Sequence, residues 1–314
     1  MRNQTLTAIP GLLVGHATDT ANGTGCTVLL CPDGFTPGIA VPGFAPGTRE
    51  TDLMRPEALA DAVHGILLAG GSAFGLAAAE GVVRWLRERH YGYATPCGNV
   101  PLVPGAVIYD LDTNRKPGVL PDAAMGYTAA LAACTNPVMQ GRVGAGTGAR
   151  CGRLFGLEDL SRTSPGGVGS ALVEWCGIQV GALVVVNALG NVRDPDTREW
   201  LAGGVDKNGQ PFSREASLTL LGSNAMPVNN TVLAVVATNA PLDKTRTSRL
   251  AHMAGAGLAR VIEPAHLTFD GDVVFALSNK RPLPDDVQRW SDNLLGALGA
   301  EVVAHAAVNA VRQI

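Results

Sequence analysis

Residues 226–239 read MPVNNTVLAVVATN, and the second half of this stretch decides the fold. From Thr231 onward Val, Leu and Ala follow one another without a charge, which is typical of a strand covered on both faces. The pair Asn229-Asn230 directly before it suits a turn. The stretch therefore predicts a buried strand from Thr231, and it leaves open whether Thr231 is a strand residue only or also a nucleophile.

Similar apolar runs alternate with helical patterns along the whole chain. Strands are predicted at 24–31, 38–48 (an irregular strand and loop), 64–69, 105–110, 168–176, 178–189 and 273–278. Helices are predicted at 72–90, 121–134, 243–260 and 285–313. The turn Pro32-Asp33-Gly34 should end the first strand, and the polar segment 190–228 should be a long surface excursion. Since no boundary or repeat interrupts this alternation, residues 1–314 are expected to form one layered α/β domain.

Composition excludes several classes of protein. The 314 residues carry a net charge of −3 without a Lys/Arg run, so nucleic acid and anionic membranes are not expected partners. The N-terminus has no signal-peptide core and no apolar run approaches a membrane span, which predicts a soluble cytoplasmic protein. The six cysteines form no C-x-x-C pair and the six histidines are scattered. We therefore expect free, mostly buried thiols, with no metal site and no cofactor.

Two glycine-rich strings need separate interpretations. In GRVGAGTGARCG (141–152), Gly144, Gly146 and Gly148 fit the loose dinucleotide pattern G-x-G-x-x-A, but no good strand precedes it and no helix follows. This loop is better interpreted as a packing loop or as a wall of the substrate site. Ser72 in GGSAFG lacks the second glycine of a nucleophile elbow, so it is interpreted as a helix N-cap.

Polar residues at strand ends have a structural and a functional interpretation. Asn187 interrupts the apolar run VVVNALG, where its amide could bond a neighbouring strand or donate to an oxyanion. Asp270 and Asp272 flank a glycine before VVFALS, which suits a turn, although two carboxylates there could also orient a nucleophile or an amine.

Thr231 would gain a special chemistry if it became a chain terminus. The hydroxyl of an N-terminal threonine is activated by its own α-amine, whose ordinary pKa is about 7.7–8.0. Attack of that hydroxyl on the Asn230 carbonyl carbon would give an ester that water hydrolyses. A strained or polarised peptide at the turn–strand junction would favour this step.

Eight strings carry a resemblance to a known family. They are GCTVLLCPDG (25–34), APGTRETDLM (45–54), VHGILLAGGSAFGLAAAEGVVRWL (63–86), VPGAVIYDL (103–111), VGAGTGA (143–149), VVVNALGNV (184–192), NNTVLAVVATNA (229–240) and FDGDVVFALS (269–278). The chain resembles, over nearly its whole length, the L-aminopeptidase/D-esterase family of self-processing hydrolases. That family includes β-peptidyl aminopeptidases, a 6-aminohexanoate-oligomer (nylon oligomer) hydrolase and a pantetheine amide hydrolase.

The resemblance implies a four-layer αββα sandwich, similar to the N-terminal-nucleophile hydrolases but connected differently. It implies cleavage of the Asn230–Thr231 bond into an α chain, 1–230, and a β chain, 231–314, which stay associated. A homo-oligomer, often a tetramer, and a small peptide or amide substrate are implied as well. No cofactor is implied.

The same resemblance implies roles for single residues. Thr231 would be the nucleophile, Asn187 an oxyanion donor, and Asp270 with Asp272 would match the Asp-x-Asp pair of the nylon-oligomer branch. One position departs from the family, because Pro165 stands where many relatives have an assisting Lys. Either one of the arginines replaces that Lys or the assistance is absent. The candidate arginines are Arg150, Arg153 and Arg162.

The expected function is that of an aminopeptidase-type amide hydrolase with an N-terminal threonine. A nylon-oligomer endo-hydrolase and a non-catalytic binding protein on the same scaffold are the alternatives.

Overall fold

The computed structural model describes residues 3–113, 116–156, 159–206, 208–211, 213–222, 230–283, 287 and 290–313. The strands of this part of the chain are β1 (Leu13–Asp19), β2 (Thr24–Ala40), β3 (Thr48–Arg49), β4 (Val63–Ala69), β5 (Tyr93–Thr95), β6 (Gly98–Val100), β7 (Gly105–Val107), β8 (Arg150–Cys151), β9 (Ser164–Pro165), β10 (Gly167–Trp175), β11 (Ile178–Asn187), β12 (Asn191–Arg193), β13 (Trp200–Ala202), β14 (Thr231–Thr238), β15 (Ile262–Glu263) and β16 (Val273–Ser278). The α-helices are α1 (Ala79–Glu88), α2 (Ala123–Leu131), α3 (Arg214–Gly222), α4 (Lys244–Val261) and α5 (Asp292–Arg312). Short 3₁₀ helices cover Leu6–Ala8, Asp52–Met54, Ser72–Ala78, Gly144–Gly146, Arg153–Phe155 and Leu160–Arg162.

The long strand β2 joins two layers of sheet. Nine strands are connected in the order β10-β11-β14-β16-β2-β4-β7-β3, with β1 also paired to β2. The first half of β2 pairs with β1 and β4, whereas residues 36–40 pair with β16. The register of the pairing between β2 and β4 shifts between Leu30 and Phe35, which marks a β-bulge or a similar irregularity in the strand. The predicted turn at Pro32-Asp33-Gly34 is therefore wrong, because the strand runs through these residues.

Three apolar cores separate four layers. One core lies between α4, α5 and the β10-β11-β14-β16 sheet and contains Val236, Leu258 and Val302. A second lies between the two sheets and contains Leu68 and Leu233. The third packs α1 and α2 on the sheet formed by β1, β2, β4 and β7. The expected αββα sandwich is confirmed.

Strand β14 is buried along its whole length, as its sequence predicts. Val232, Ala234 and Val236 face the helices, whereas Leu233 and Val235 face the second sheet. Because side chains alternate between the two faces of a strand, Thr231 projects into the space between the sheets. The fold thus points the first side chain of β14 toward the interior between two sheets.

Three predicted helix or strand ends need correction. Ser72 is not an N-cap, since Gly71 takes that position in the left-handed region and Ser72 begins a 3₁₀ helix with φ 53°. Helix α5 begins at Asp292 and not at 285, because the Ser291 hydroxyl accepts the N–H of Leu294 and caps it there. Strand β7 ends at Val107, earlier than predicted. The other predicted strands and helices overlap elements of the structure, whereas β1, β5, β6, β8, β9, β12, β13, β15 and α3 have no predicted counterpart.

The segment 190–228 contains structure that the sequence did not indicate. Its described residues form β12, β13 and α3, and α3 buries none of its residues. Strand β12 pairs with β13 and β15 in a small separate sheet. The segment therefore carries an exposed helix, as a surface excursion would, while Asn229 and the other residues of 223–229 lie outside the described part.

Two expectations from composition also need correction. Helix α5 is long and apolar enough to cross a membrane, with a mean hydropathy of 1.6, contrary to the expectation that no apolar run approaches a membrane span. It packs on α4, β10 and β11, so its apolar face is covered by the protein itself. All six cysteines are free, but only Cys26, Cys31 and Cys151 are buried.

Candidate active site

Thr231 and Asn187 face each other across two neighbouring strands. Thr231 is the first residue of β14 and Asn187 is the last of β11, and the antiparallel register pairs them directly. Asn187 is 0% exposed and Thr231 6%. The structure thus brings together two polar side chains that lie more than forty positions apart in the sequence.

The peptide bond before Thr231 has an unusual pair of hydrogen bonds. The Thr231 hydroxyl donates to the carbonyl oxygen of Asn230 at 2.7 Å. The backbone N–H of Gly271 donates to the same oxygen at 2.8 Å. Two donors on one carbonyl oxygen polarise that carbonyl, and the hydroxyl lies beside it.

Gly271 must lack a side chain for this arrangement to exist. A Cβ atom at this position would lie 2.6 Å from Thr231 Oγ1 and 2.7 Å from the carbonyl oxygen of Ala45. The adjacent Asp270 carbonyl accepts the N–H groups of Phe44 and Ala45 at 2.8 and 3.0 Å. The loop after β2 therefore holds the turn at 270–272 in place.

Asp272 is connected to the strand that carries Thr231. Its Oδ1 accepts the backbone N–H of Val232 at 2.7 Å, and its Oδ2 lies 2.8 Å from His266 Nδ1. Hydrogen bonding to Asp272 raises the pKa of His266 above its ordinary value. The protonated form of His266 is therefore favoured by its contact with the buried Asp272 side chain.

Asp270 has a different environment from Asp272. Its Oδ2 accepts the N–H of Leu267 at 2.7 Å, and Asn230 and Asp270 form a parallel β-bridge. Burial, together with the neighbouring charge of Asp272, raises the pKa of Asp270 to about 7. Near neutral pH this carboxyl group is thus able to hold or release a proton.

His266 and Gly271 are the residues of this site that the sequence did not single out. His266 is a lone histidine four positions before Asp270, and it lies in the left-handed region with φ 58°. Gly271 sits inside the predicted turn, where glycine needs no further explanation. Only the contacts with Asp272 and Thr231 give these two residues a place in the site.

Asn187 is held by two backbone groups from other parts of the chain. Its Oδ1 accepts the Arg150 N–H at 3.0 Å, and its Nδ2 donates to the Tyr109 carbonyl at 3.1 Å. An Asn amide has two N–H groups, so one of them is left for a ligand after the bond to Tyr109. The amide is fixed in orientation before any ligand arrives.

The glycine loop is mainly a packing loop. A Cβ at Gly144 would lie 2.3 Å from Thr27 Oγ1, and one at Gly146 would lie 2.5 Å from the Val168 nitrogen. Gly148 differs from these two because it lines a cavity of about 270 Å³ together with Arg150. A substrate-binding role for the three glycines remains a prediction, and Gly148 is the best placed of them.

Each of the three arginines proposed in place of the missing Lys is held by a bond to the protein. Arg150 donates to the carbonyl oxygens of Leu160 and Thr163, both at 2.8 Å. Arg153 is buried and pairs with Asp112, and Arg162 donates to the Val205 carbonyl at 3.1 Å. Among the described contacts none of the three reaches Thr231.

The four-layer αββα sandwich, with polar residues gathered at the ends of two strands, can be compared with the folds of solved structures. The structure matches the L-aminopeptidase D-Ala-esterase/amidase of Ochrobactrum anthropi, described as a variant of the Ntn-hydrolase fold, with a TM-score of 0.72 at 22% identity. That match covers 99% of this chain and 86% of the other. A β-aminopeptidase from Burkholderia sp. matches with a TM-score of 0.68 at 24% identity, over 98% and 86% of the two chains.

Residues 4–313 match the model of peptidase family S58, and the chain belongs to that family. An uncharacterised aminopeptidase of Mycobacterium tuberculosis is 43% identical over 87% of this chain and 80% of its own length. A 6-aminohexanoate-oligomer endohydrolase of Kocuria sp. is 30% identical over 96% and 84%. The chain is accordingly a hydrolase of amide bonds with an Ntn-type fold, and the resemblance found in the sequence is confirmed.

Proposed function

We propose that the chain cuts itself between Asn230 and Thr231, and that Thr231 then acts as the N-terminal nucleophile of an aminopeptidase-type amide hydrolase. The hydrogen bond of 2.7 Å between the Thr231 hydroxyl and the Asn230 carbonyl carries this proposal. It puts a potential nucleophile next to a carbonyl that the Gly271 N–H already polarises.

Self-cleavage is an N-to-O acyl shift followed by hydrolysis. The Thr231 oxygen bonds to the Asn230 carbonyl carbon, the C–N bond breaks, and the hydroxyl proton ends on the departing nitrogen. Water then hydrolyses the ester, which releases the Asn230 carboxylate and regenerates the hydroxyl. The Gly271 N–H is positioned to stabilise the oxyanion of the first step.

Turnover uses the new terminus. The α-amine of Thr231 takes the hydroxyl proton as the oxygen attacks the substrate carbonyl, and returns it to the leaving amine. The remaining N–H of the Asn187 amide stabilises the oxyanion. Asp272 holds the start of β14 through Val232, and Asp270, whose pKa is about 7, exchanges a proton near the amine. Water releases the acyl group.

The two chains, 1–230 and 231–314, would remain one domain. Strand β14 lies between β11 and β16 in the sheet and is fully buried, so cleavage at its first residue leaves its pairing intact. Assembly into a homo-oligomer, such as a tetramer, and a cytoplasmic location belong to the same proposal.

An aminopeptidase is the first choice of activity, because the relatives at 43% identity carry that name. An endo-hydrolase of 6-aminohexanoate oligomers is the second, because the Kocuria relative matches 96% of the chain. Hydrolysis of an aminoacyl p-nitroanilide, compared with that of a 6-aminohexanoate oligomer, separates the two.

A denaturing gel of purified protein tests the proposal. The wild type should give two bands, and N-terminal sequencing of the smaller one should begin at Thr231. Thr231→Ala should give one uncut band of 32.4 kDa without amidase activity. Thr238→Ala, at the other end of the same strand, is the matched control and should be cut. An uncut wild-type chain that hydrolyses no amide would instead favour a binding protein on this scaffold.

A further inference from the structure

A second polar feature lies beside the candidate active site. The cavity of about 270 Å³ is lined by two arginines, Arg142 and Arg150, together with Thr20, Gly23, Thr113, Gly148 and Leu160. The side chain of Arg142 is exposed at the rim, and that of Arg150 is half-buried in the wall. The two guanidinium groups line one small cavity and repel each other, because they carry like charges.

Neither arginine has a carboxylate partner among the described residues. Arg142 donates through Nε and Nη2 to the Thr147 carbonyl, at 3.3 and 3.2 Å. Arg150 uses Nε and Nη2 to bond residues Leu160 and Thr163. The Nη1 group of each arginine has no hydrogen-bond partner within the described ranges, so donors remain for a ligand.

The surrounding charges favour an anion in this cavity. The nearby Asp112 already pairs with Arg153 and leaves its charge only partly available to the other arginines. Burial lowers the pKa of Arg150, and the charges of Arg153 and Arg142 lower it further. A bound anion would offset both the cost of burying the Arg150 charge and the repulsion between the arginines.

The cavity and the oxyanion donor share their supporting backbone. The Arg150 N–H bonds Asn187 Oδ1 at 3.0 Å, and Asn187 lies opposite Thr231. Thr113 bonds the carbonyls of Asp110 and Gly148, next to the Tyr109 carbonyl that holds Asn187. The lining residue Arg150 is therefore joined by one hydrogen bond to the amide that faces the nucleophile.

We propose that Arg142 and Arg150 bind a free carboxylate of the substrate, so that the enzyme selects short peptides or amino-acid oligomers that end in a carboxylate. This proposal rests on the proposed amide hydrolase function. Guanidinium groups match carboxylates in shape and charge, and their bonds to them are stronger than neutral hydrogen bonds. The volume of the cavity suits one residue-sized fragment and not a long chain.

Kinetics with two matched substrates test the selection. The wild type should hydrolyse a dipeptide with a free carboxylate at least about tenfold more efficiently than its C-terminal carboxamide, which is the lower range for a hydrogen bond to a charged group. Arg142→Gln should abolish this preference through KM, and Arg142→Lys should keep part of it. Arg260→Gln, an exposed arginine on α4, is the control and should behave as wild type. Arg142→Gln is preferred to an Arg150 variant because the Arg150 side chain anchors residues 160–163.

Binding to the uncut Thr231→Ala chain tests the proposal without catalysis. Calorimetric titration with N-acetylalanine should give measurable affinity, weakened by salt, whereas N-acetylalaninamide should bind at least about tenfold more weakly. Arg142→Gln in the same background should remove the difference. Equal binding of acid and amide, or an unchanged difference in Arg142→Gln, would overturn the carboxylate site. If the wild type hydrolysed neither dipeptide, the proposed function would fail while this titration still decided the site.

Discussion

The two ends of strand β14 each carry a buried threonine, and only one of them is placed for chemistry. Thr238 is 0% exposed; its hydroxyl donates to the Gln179 carbonyl at 2.9 Å and accepts the Ala240 N–H at 3.1 Å. Thr231 is 6% exposed and donates to the carbonyl of its own peptide bond. Residue type, strand and burial are the same, so none of these identifies a nucleophile.

The difference lies in the groups around each hydroxyl. At the Thr238 end the neighbours Ser278 and Asn279 are neutral: the Ser278 hydroxyl donates to the Ala240 carbonyl at 2.6 Å, and the Asn279 N–H donates to the Thr238 carbonyl at 3.0 Å. At the Thr231 end are two carboxyl groups and a histidine, Asp270, Asp272 and His266. Neutral partners satisfy the hydrogen-bonding groups at a strand end, whereas titratable partners also allow proton transfer. The following substitutions test this contrast.

The largest effect is expected at the amide opposite Thr231. Asn187→Asp keeps an oxygen for the Arg150 N–H but removes the N–H donors, and should lower kcat by about 10²–10³-fold, as for other oxyanion donors. Asn239→Asp is the control, since Asn239 holds the Gln179 N–H and the Gly177 carbonyl in the same way at the other strand end. Steady-state kinetics on folded, cut protein give the comparison. Equal losses in both variants would make Asn187 a structural residue only.

A side chain at Gly271 should slow self-cleavage. The Cβ of Gly271→Ala would be 2.6 Å from Thr231 Oγ1, and displacing a reacting group by about 1 Å costs roughly 10²-fold in rate. Gly255→Ala is the control, because its Cβ would meet only Val274 Cγ2 at an ordinary 3.6 Å. The fraction of cut chain is followed on gels after synthesis. Normal processing of Gly271→Ala would mean that the close approach of residue 271 to Thr231 does not control self-cleavage.

Loss of the histidine beside Asp272 should have a smaller, pH-dependent effect. His266→Gln removes a charge-assisted bond and should reduce kcat about tenfold, with little change in KM. Since the pKa of His266 is raised, the wild-type rate should fall as pH rises above that pKa. The rate of His266→Gln should lack this alkaline fall. A pH–rate profile that keeps it would mean that another group titrates there.

The smallest effect concerns stability. The pKa of Asp270 is raised from 3.8 to about 7 by burial and by Asp272, so the folded protein favours its protonated form. Its contribution to stability is therefore present below pH 3.8 and is lost as pH rises through about 7. We expect Asp270→Asn, introduced into the uncut Thr231→Ala chain, to change the melting temperature differently at the two pH values. The melting temperature of the double variant minus that of Thr231→Ala should be a few degrees larger at pH 8 than at pH 5. An unchanged difference at the two pH values would contradict a raised pKa.

Much of the fold could be predicted from local pattern. Strand β14, strand β16 and helix α4 were predicted within one or two residues, because continuous apolar runs and helical spacing reflect burial directly. The turn at Pro32-Asp33-Gly34 was not, since pairing with neighbouring strands carries β2 across turn-forming residues. The late start of α5 depends on a local cap at Ser291 that periodicity does not register.

The candidate site, like the fold, combines features that can be predicted from the sequence with features that depend on the tertiary structure. The sequence by itself determined a buried strand that begins at Thr231, an amide inside an apolar run at Asn187, and two acids before a strand. These follow from side-chain polarity and from family resemblance. Only the tertiary structure decided that the register sets Asn187 against Thr231, that Gly271 donates to the Asn230 carbonyl, and that His266 meets Asp272. The reason is physical, because register and strand order bring together atoms that are distant in the chain, and local patterns of polarity do not encode those distances.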